Sequence, residues 1–193
     1  MCSFLAFGQK GKDGDVVVSN NQVVNAYTPV ISPISSGDLS ILVQSNQLIG
    51  GVFNTPLEGG DLVYIYQAQG ADISELNNNT YGEITDYNGS GFFDLVQVAD
   101  VIGNQEIILD CPVNHDYDLS GNVQIVRVPR FNSLNITEFA SITSSPWNGF
   151  TGGLLVIEVK EELIVDGLIS ATAHGFRGGE KENNFSNSII IVF

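Results

Sequence analysis

The chain has 193 residues, 43% of them hydrophobic, with 22 acidic residues against 7 basic ones and a net charge of −15. That length holds one ordinary domain, or one domain with a short annex, and the apolar content is enough for a core. The shortage of Lys and Arg excludes binding to the phosphate backbone of nucleic acid and docking on anionic lipid.

The first nine residues read MCSFLAFGQ. A short apolar run followed by Ala6-Phe7-Gly8, a small-x-small cleavage site, makes residues 1–9 the tail of a secretory signal peptide. On that reading Cys2 leaves with the signal, and Cys111 remains as a lone, buried and inert thiol. There is no CxxC and no cluster of Cys and His at zinc spacing.

Beyond this point short runs of β-branched and aromatic residues alternate with Gly, Asn, Asp and Pro, the pattern of strands and turns. Val16–Ser19, Gln22–Ala26 and Ser40–Gln44 read as strands, with Pro29 and Pro33 bounding a crossing loop. Asn46–Gly60 is a long Gly-rich connection before the strand Leu62–Gln67. Asp72–Leu76 predicts one helical turn, with Asp72 as N-cap and Glu75 three residues on. Gly82–Tyr87, Phe92–Asp100 and Gln105–Leu109 predict a meander, its turns at Asn88-Gly89 and Gly103-Asn104. Within it Phe92, Asp94, Val96 and Val98 share one face, and Phe93, Leu95 and Gln97 the other.

Asn122–Val128 and Leu134–Ile136 follow as strands. From Gly149 the texture changes. Leu154–Val159, Glu162–Val165 and Leu168–Thr172, with a turn at Asp166-Gly167, are short strands apolar on both faces. They resemble coils of a parallel β-solenoid, in which each coil buries its face against the next. The sequence closes on Ser188–Phe193, which ends in five apolar residues. Such a run predicts a strand added to the sheet of its own chain, with donation to a neighbouring chain as the runner-up.

The fold class expected is all-β: a β-barrel or sandwich over residues 12–131, followed by short β-solenoid-like strands over 145–193 that pack on it. No apolar stretch approaches the ~18 residues that cross a bilayer.

Chemistry-bearing motifs are few. No G-x-S-x-G and no HExxH is present. His174 near Arg177 reads as an ordinary loop pair, with anion binding as the sharper alternative. Asn114, Asp116, Asp118 and Ser120 alternate ahead of Gly121, but an EF-hand beginning at Asp116 would place Arg127 where a bidentate Glu is needed. The segment is a polar turn, with a looser calcium site as the alternative; no cofactor is expected. No pair of carboxylates is singled out for glycoside hydrolysis. Tyr64 and Tyr66 share a strand face, and with Tyr81, Tyr87 and Trp147 they suggest either sheet packing or a sugar-stacking platform. No catalytic, cofactor-binding or metal-ligating residue is named.

Four segments carry a likeness: GDLVYIYQAQGADI (Gly60–Ile73), YGEITDYNGSGFFDLVQV (Tyr81–Val98), NVQIVRVPRF (Asn122–Phe131) and the run from Ser145 to the GFRGG at Gly175–Gly179. Together they resemble the N-terminal region of large secreted, adhesin-like surface proteins of bacteria that use type IX secretion. The likeness spans about residues 12–179 and is most specific from Trp147 onward. It implies a secreted or cell-surface, non-enzymatic structural or adhesion module, with surface glycans or other surface proteins as partners. A carbohydrate-binding accessory module is the alternative, and a β-solenoid polysaccharide lyase or hydrolase comes behind it.

Overall fold

The computed structural model describes residues 10–176. Residues 1–9, which the sequence reading takes as a signal-peptide tail, lie outside the described residues, as do Arg177, Lys181 and the apolar run Ser188–Phe193. Strands make up 42% of the structure and helix 2%, so the protein is all-β.

Six strands form an antiparallel sheet: β3 (Ala26–Pro29), β4 (Ser40–Leu42), β5 (Leu62–Gln67), β8 (Phe93–Ile102), β9 (Glu106–Leu109) and β10 (Val123–Val128). Their order is β3-β10-β5-β8-β9-β4. The sheet curls until its edges meet. Val30 bridges Val43, the Gln44 N–H donates to the Pro29 carbonyl at 3.0 Å, and the Ile31 N–H donates to that of Leu42 at 2.9 Å. Curling removes both free edges and encloses a core that includes Val63, Ile65, Val98, Ile107 and Ile125.

The remaining strands build a second body. β1 (Asp15–Val18), β11 (Arg130–Ile136) and β13 (Glu158–Val165) form one parallel sheet in the order β1-β11-β13. β2 (Gln22–Val23), β12 (Ser141–Thr143) and β14 (Leu168–Ile169) form another, with β12 between β2 and β14 and both pairings parallel. Each consecutive pair, β1–β2, β11–β12 and β13–β14, turns one corner. These are three rungs of a parallel β-solenoid. Phe131, Leu134, Ile136 and Ile142 of the middle rung, with Val18 and Val24, fill its interior.

The barrel is therefore an insertion between the first and second rungs. The N-terminal strands expected within the barrel span 12–131 belong to the solenoid. Pro129 marks the change of sheet, because a proline cannot donate to a ladder. β10 pairs in the barrel and β11, immediately after Pro129, pairs with β1 and β13.

Gly167 turns the corner of the third rung. Its N–H donates to the Ile136 carbonyl at 3.0 Å. A Cβ there would run into the carbonyl oxygens of Ala140 and Thr137. Gly167→Ala is expected to destabilise the protein by roughly 1–3 kcal/mol, as overpacking does. A urea midpoint equal to that of the parent would contradict this packing.

Three expectations are corrected. Asp72–Leu76 is no helical turn: Asp72–Ile73 is strand β6, paired with β7 (Ile84–Asp86) in a separate hairpin. The helical content described is a 3-10 turn at Leu119–Gly121. The meander holds at Gly103-Asn104 but not at Asn88-Gly89, because β7 pairs with β6 rather than β8. Cys111 is not a lone thiol but is disulfide-bonded; the other cysteine of the chain, Cys2, lies outside the described residues.

Candidate functional site

The polar groups that the sequence leaves unassigned gather where the barrel meets the rungs. Arg127 follows Val123 and Ile125 on one face of β10, so its side chain enters the end of the barrel. Its Nη2 lies 2.7 Å from Asp61 Oδ2, and Nη1 donates to the carbonyls of Thr55 (2.7 Å) and Leu48 (3.2 Å). The guanidinium carbon sits 4.1 Å from the centroid of the Phe53 ring. Burial pulls the Arg127 pKa below its ordinary value, with the negative charge of Asp61 opposing it. Lys12 reaches the other side of the same carboxylate, 2.6 Å from Asp61 Oδ1 and 2.9 Å from Glu58 Oε1. Burial alone would lower the Lys12 pKa; the hydrogen bonds to Asp61 and Glu58 outweigh it and hold the amine above its usual value.

Arg130 joins all three rungs to the barrel. Its Nε lies 2.6 Å from Glu158 Oε2 on the third rung, and its Nη1 donates to Gly60 O and Gln97 Oε1 of the barrel. Its backbone N–H donates to Asp13 Oδ2, at the start of the first rung, at 2.6 Å.

A strap, residues 144–157, crosses the outer face of β10 and is held by side chains. Gln124, fully buried in β10, donates from Nε2 to the Gly152 carbonyl (3.0 Å) and accepts the Gly152 N–H on Oε1 (2.8 Å). Asn25 grips Val156 in the same way, at 2.7 and 3.1 Å, and donates also to the Arg127 carbonyl. Each amide acts as a one-residue strand partner. The Tyr27 hydroxyl donates to the Leu154 carbonyl at 2.6 Å, and burial pushes its pKa up to about 12.

Beside the strap runs a row of rings. Phe93 stacks on Tyr64 (5.3 Å between centroids), Tyr64 on Tyr66 (6.0 Å), and Tyr66 on Phe176 (5.5 Å). Phe176 meets the buried Trp147 edge-on at 4.8 Å. Tyr64 and Tyr66 are half-buried and pack against the neighbouring rings of this row. Tyr81 and Tyr87 lie apart from the row, exposed at the β6–β7 hairpin.

At the far end of the barrel a cleft of about 810 Å³ is lined by Ser35, Asp72, Asn88, Phe92, Asp116 and Asp118, among others. Its acids are engaged. Asp116 accepts the Ser36 N–H (2.8 Å), Asp118 the Ser120 N–H (2.9 Å), and Asp72 an amide proton of Asn88 (2.8 Å). Asn114 turns its amide to Asp94 at 2.6 Å. The alternating segment Asn114–Ser120 is thus a turn built on side-chain-to-backbone bonds. Among the described residues no group of three or more His, Cys, Asp or Glu is placed to hold a metal ion. His174 Nδ1 lies 3.0 Å from the Thr143 hydroxyl.

Asp94 is the best-supplied of the buried acids. It takes bonds from the Tyr117 hydroxyl (2.7 Å) and from the side chain and backbone of Asn114, and His115 Nδ1 lies 3.1 Å away. Burial would raise its pKa, but the hydrogen bonds from Tyr117, Asn114 and His115 outweigh that and hold it below the usual carboxylate range. A depressed pKa contributes stability that is present above the unfolded value, ~3.9, and is lost as pH falls through the folded value. Asp94→Asn should therefore be less stable than the parent at pH 7, with the gap shrinking below about pH 4. A gap unchanged down to pH 2 in denaturant titrations would refute this.

No family model matches the chain, and no curated protein matches it. Among solved structures it is similar to three phage tailspikes. The gp61 tailspike of Pseudomonas phage phi297 aligns at a TM-score of 0.33 and 9% identity, over 75% of this chain and 18% of its own. The gp54 tailspike of Acinetobacter baumannii bacteriophage AP22, solved with A. baumannii capsular saccharide, gives 0.35 and 16% over 76% and 21%. The tailspike gp49 of Pseudomonas phage LKA1 gives 0.35 and 17% over 68% and 22%. This chain spans about a fifth of the length of those proteins. Likeness at this level carries no inference about what this chain does. No helix among the described residues is long and apolar enough to cross a membrane.

Proposed function

We propose that the chain is a non-enzymatic structural module of an extracellular surface protein, a barrel head seated on the opening rungs of a parallel β-solenoid. The observation that carries this reading is the pairing of β1, β11 and β13 as parallel neighbours, with the barrel inserted between the first two. A solenoid rung buries its interior only against other rungs, so three in succession are the start of a stack. One further observation supports it. The buried titratable groups Asp61, Asp94, Tyr117 and Arg127 are bonded to one another or to backbone, as groups with a structural role are. The sequence resemblance to secreted adhesin-like proteins points the same way.

The test combines a screen against acidic and neutral glycans with denaturant unfolding. The expected results are no saturable saccharide binding, and superimposed transitions for Trp147 fluorescence and far-ultraviolet dichroism, since head and rungs share one joint. Saturable binding of one glycan class would replace this reading with that of a carbohydrate-binding module. Two separated transitions would show that the barrel is not seated on the rungs.

A further inference from the structure

The sequence holds two Asn-Gly pairs, Asn88-Gly89 and Asn148-Gly149. In such a pair the backbone nitrogen of the glycine can approach the asparagine Cγ, because no Cβ stands in its way. Both asparagines are exposed, and neither glycine N–H donates a hydrogen bond among the described residues. The two side-chain amides are held in opposite ways. Asn88 is tied through its nitrogen: Nδ2 donates to Asp72 Oδ2 (2.8 Å) and to the Gly70 carbonyl (3.2 Å), and among the described residues Oδ1 receives no donor. Gln67 Nε2 holds the Asn88 backbone carbonyl at 2.8 Å, and the Asn88 N–H donates to Asp86 Oδ1. Asn148 is tied through its oxygen: Oδ1 accepts the N–H of Phe150 and that of Thr151, both at 2.9 Å. The ring that Oδ1 closes with the Phe150 N–H contains the Gly149 nitrogen. Apart from the chain neighbours of Gly149, nothing lies within 4 Å of where its Cβ would stand, so that side of the turn is open.

We propose that Asn148-Gly149 is a self-modification site at the turn of the strap, where the folded chain converts asparagine to aspartate and isoaspartate with water as the only co-reactant. Negative charge develops on Oδ1 as the glycine nitrogen adds to Cγ. The two N–H groups already aimed at that atom stabilise it, as an oxyanion hole does. The Gly149 nitrogen gives its proton to water and bonds to Cγ; the Cγ–Nδ2 bond breaks, and Nδ2 takes a proton from water and leaves as ammonia. Water then opens the five-membered imide at either carbonyl, giving aspartate or isoaspartate. At Asn88 the hydrogen bonds fall on the leaving nitrogen and none on the oxygen, so the same dipeptide is protected. The consequence lies in the strap. Isoaspartate lengthens the backbone by one carbon between the buried Trp147 and Gly152, the residue that Gln124 grips. Conversion also adds a negative charge to a chain already at −15.

Peptide mapping of the folded full chain, held in mildly alkaline buffer and sampled over time, tests this. Asn148 should convert at least about ten-fold faster than Asn88, a modest share of what oxyanion donors supply in an enzyme. In concentrated urea, where both amides are released, the two rates should agree within about three-fold. The emission of Trp147, the single tryptophan of the chain, should shift to the red in step with conversion. Asn148→Gln, whose longer side chain cannot close the five-membered ring, should keep its starting emission over the same time. Equal rates at the two sites in the folded chain overturn the proposal. So does a preference for Asn148 that persists undiminished in urea, because local sequence and not the fold would then set it. A parent emission that changes no more than that of Asn148→Gln overturns it as well.

Discussion

Arg127→Met should lower the stability of the protein by about 3 kcal/mol, the lower end of what breaking a buried ion pair costs. For a chain of this size that is roughly 6–12 °C in the melting temperature. The loss has three parts. Asp61 stays buried with Lys12 as its remaining cation, the carbonyls of Leu48 and Thr55 lose their donor, and Phe53 loses the guanidinium packed on its ring. Lys12→Met removes a contact that is partly open to solvent and should cost well under that, below about 1 kcal/mol. Raising the salt concentration should leave the Arg127 effect largely intact, because a buried pair is poorly screened. A thermal melt of Arg127→Met within 2 °C of the parent would show that the joint does not depend on this residue.

Asn25→Leu is expected to cost about as much, roughly 3 kcal/mol, by a different route. Leucine fills the space but leaves the N–H and C=O of Val156 without their amide partner, at about 1–3 kcal/mol for each group that water cannot reach, and takes a second donor from the Arg127 carbonyl. The strap should loosen before the barrel does. Trp147, a buried residue of the strap itself packed edge-on against Phe176, reports this as a red shift of its emission at denaturant concentrations where the dichroism is still native. Gln124→Leu frees Gly152 in the same way. Because both amides hold one strap, the double variant should cost less than the two single losses together. Full additivity would mean that the two grips act independently.

Local pattern was readable wherever one strand face is buried and the other is not. Asp94, Val96 and Val98 are buried and Phe93 and Leu95 exposed, as the alternation along Phe92–Val98 requires. Gly103 has a φ of +58°, and the hairpin it turns joins β8 to β9 as read. Asn88 and Gly89 also take positive φ, +44° and +78°, so the turn forms, yet the strands on its two sides do not pair. Turn chemistry is local; a pairing partner is chosen by the whole sheet, and β5 and β9 already occupy both sides of β8. The Asp72–Glu75 capping pattern fails because a single turn is too short to repay helix nucleation, and Ser74 instead exchanges backbone bonds with Gly82 and Glu83.

The joint was less legible. Gln124 and Arg127 interrupt an otherwise β-branched run, and a polar residue inside such a run is itself a signal that something polar lies opposite. Nothing in the sequence says that the partners are Gly152 and Asp61. Val16–Ser19 and Gln22–Ala26 carry strand patterns, but nothing local in them points to Leu134–Ile136 as a companion, because that pairing is distant in sequence.

The inserted barrel also fixes the order in which the chain can assemble. The first rung meets the second across an excursion of more than a hundred residues; the Asn132 amide that bonds Asp15 is 117 positions away from it. Closing so long a loop from an extended chain is entropically unfavourable, and contacts this distant slow folding. A barrel that forms first holds Ala26 opposite Arg127 across β3 and β10, and so delivers the two flanking segments to each other as neighbours. The barrel would then act as the clasp of its own folding pathway. Refolding should show a fast phase that buries the Ile65 and Ile125 neighbourhood, and a later, rate-limiting phase in which the rungs zip together.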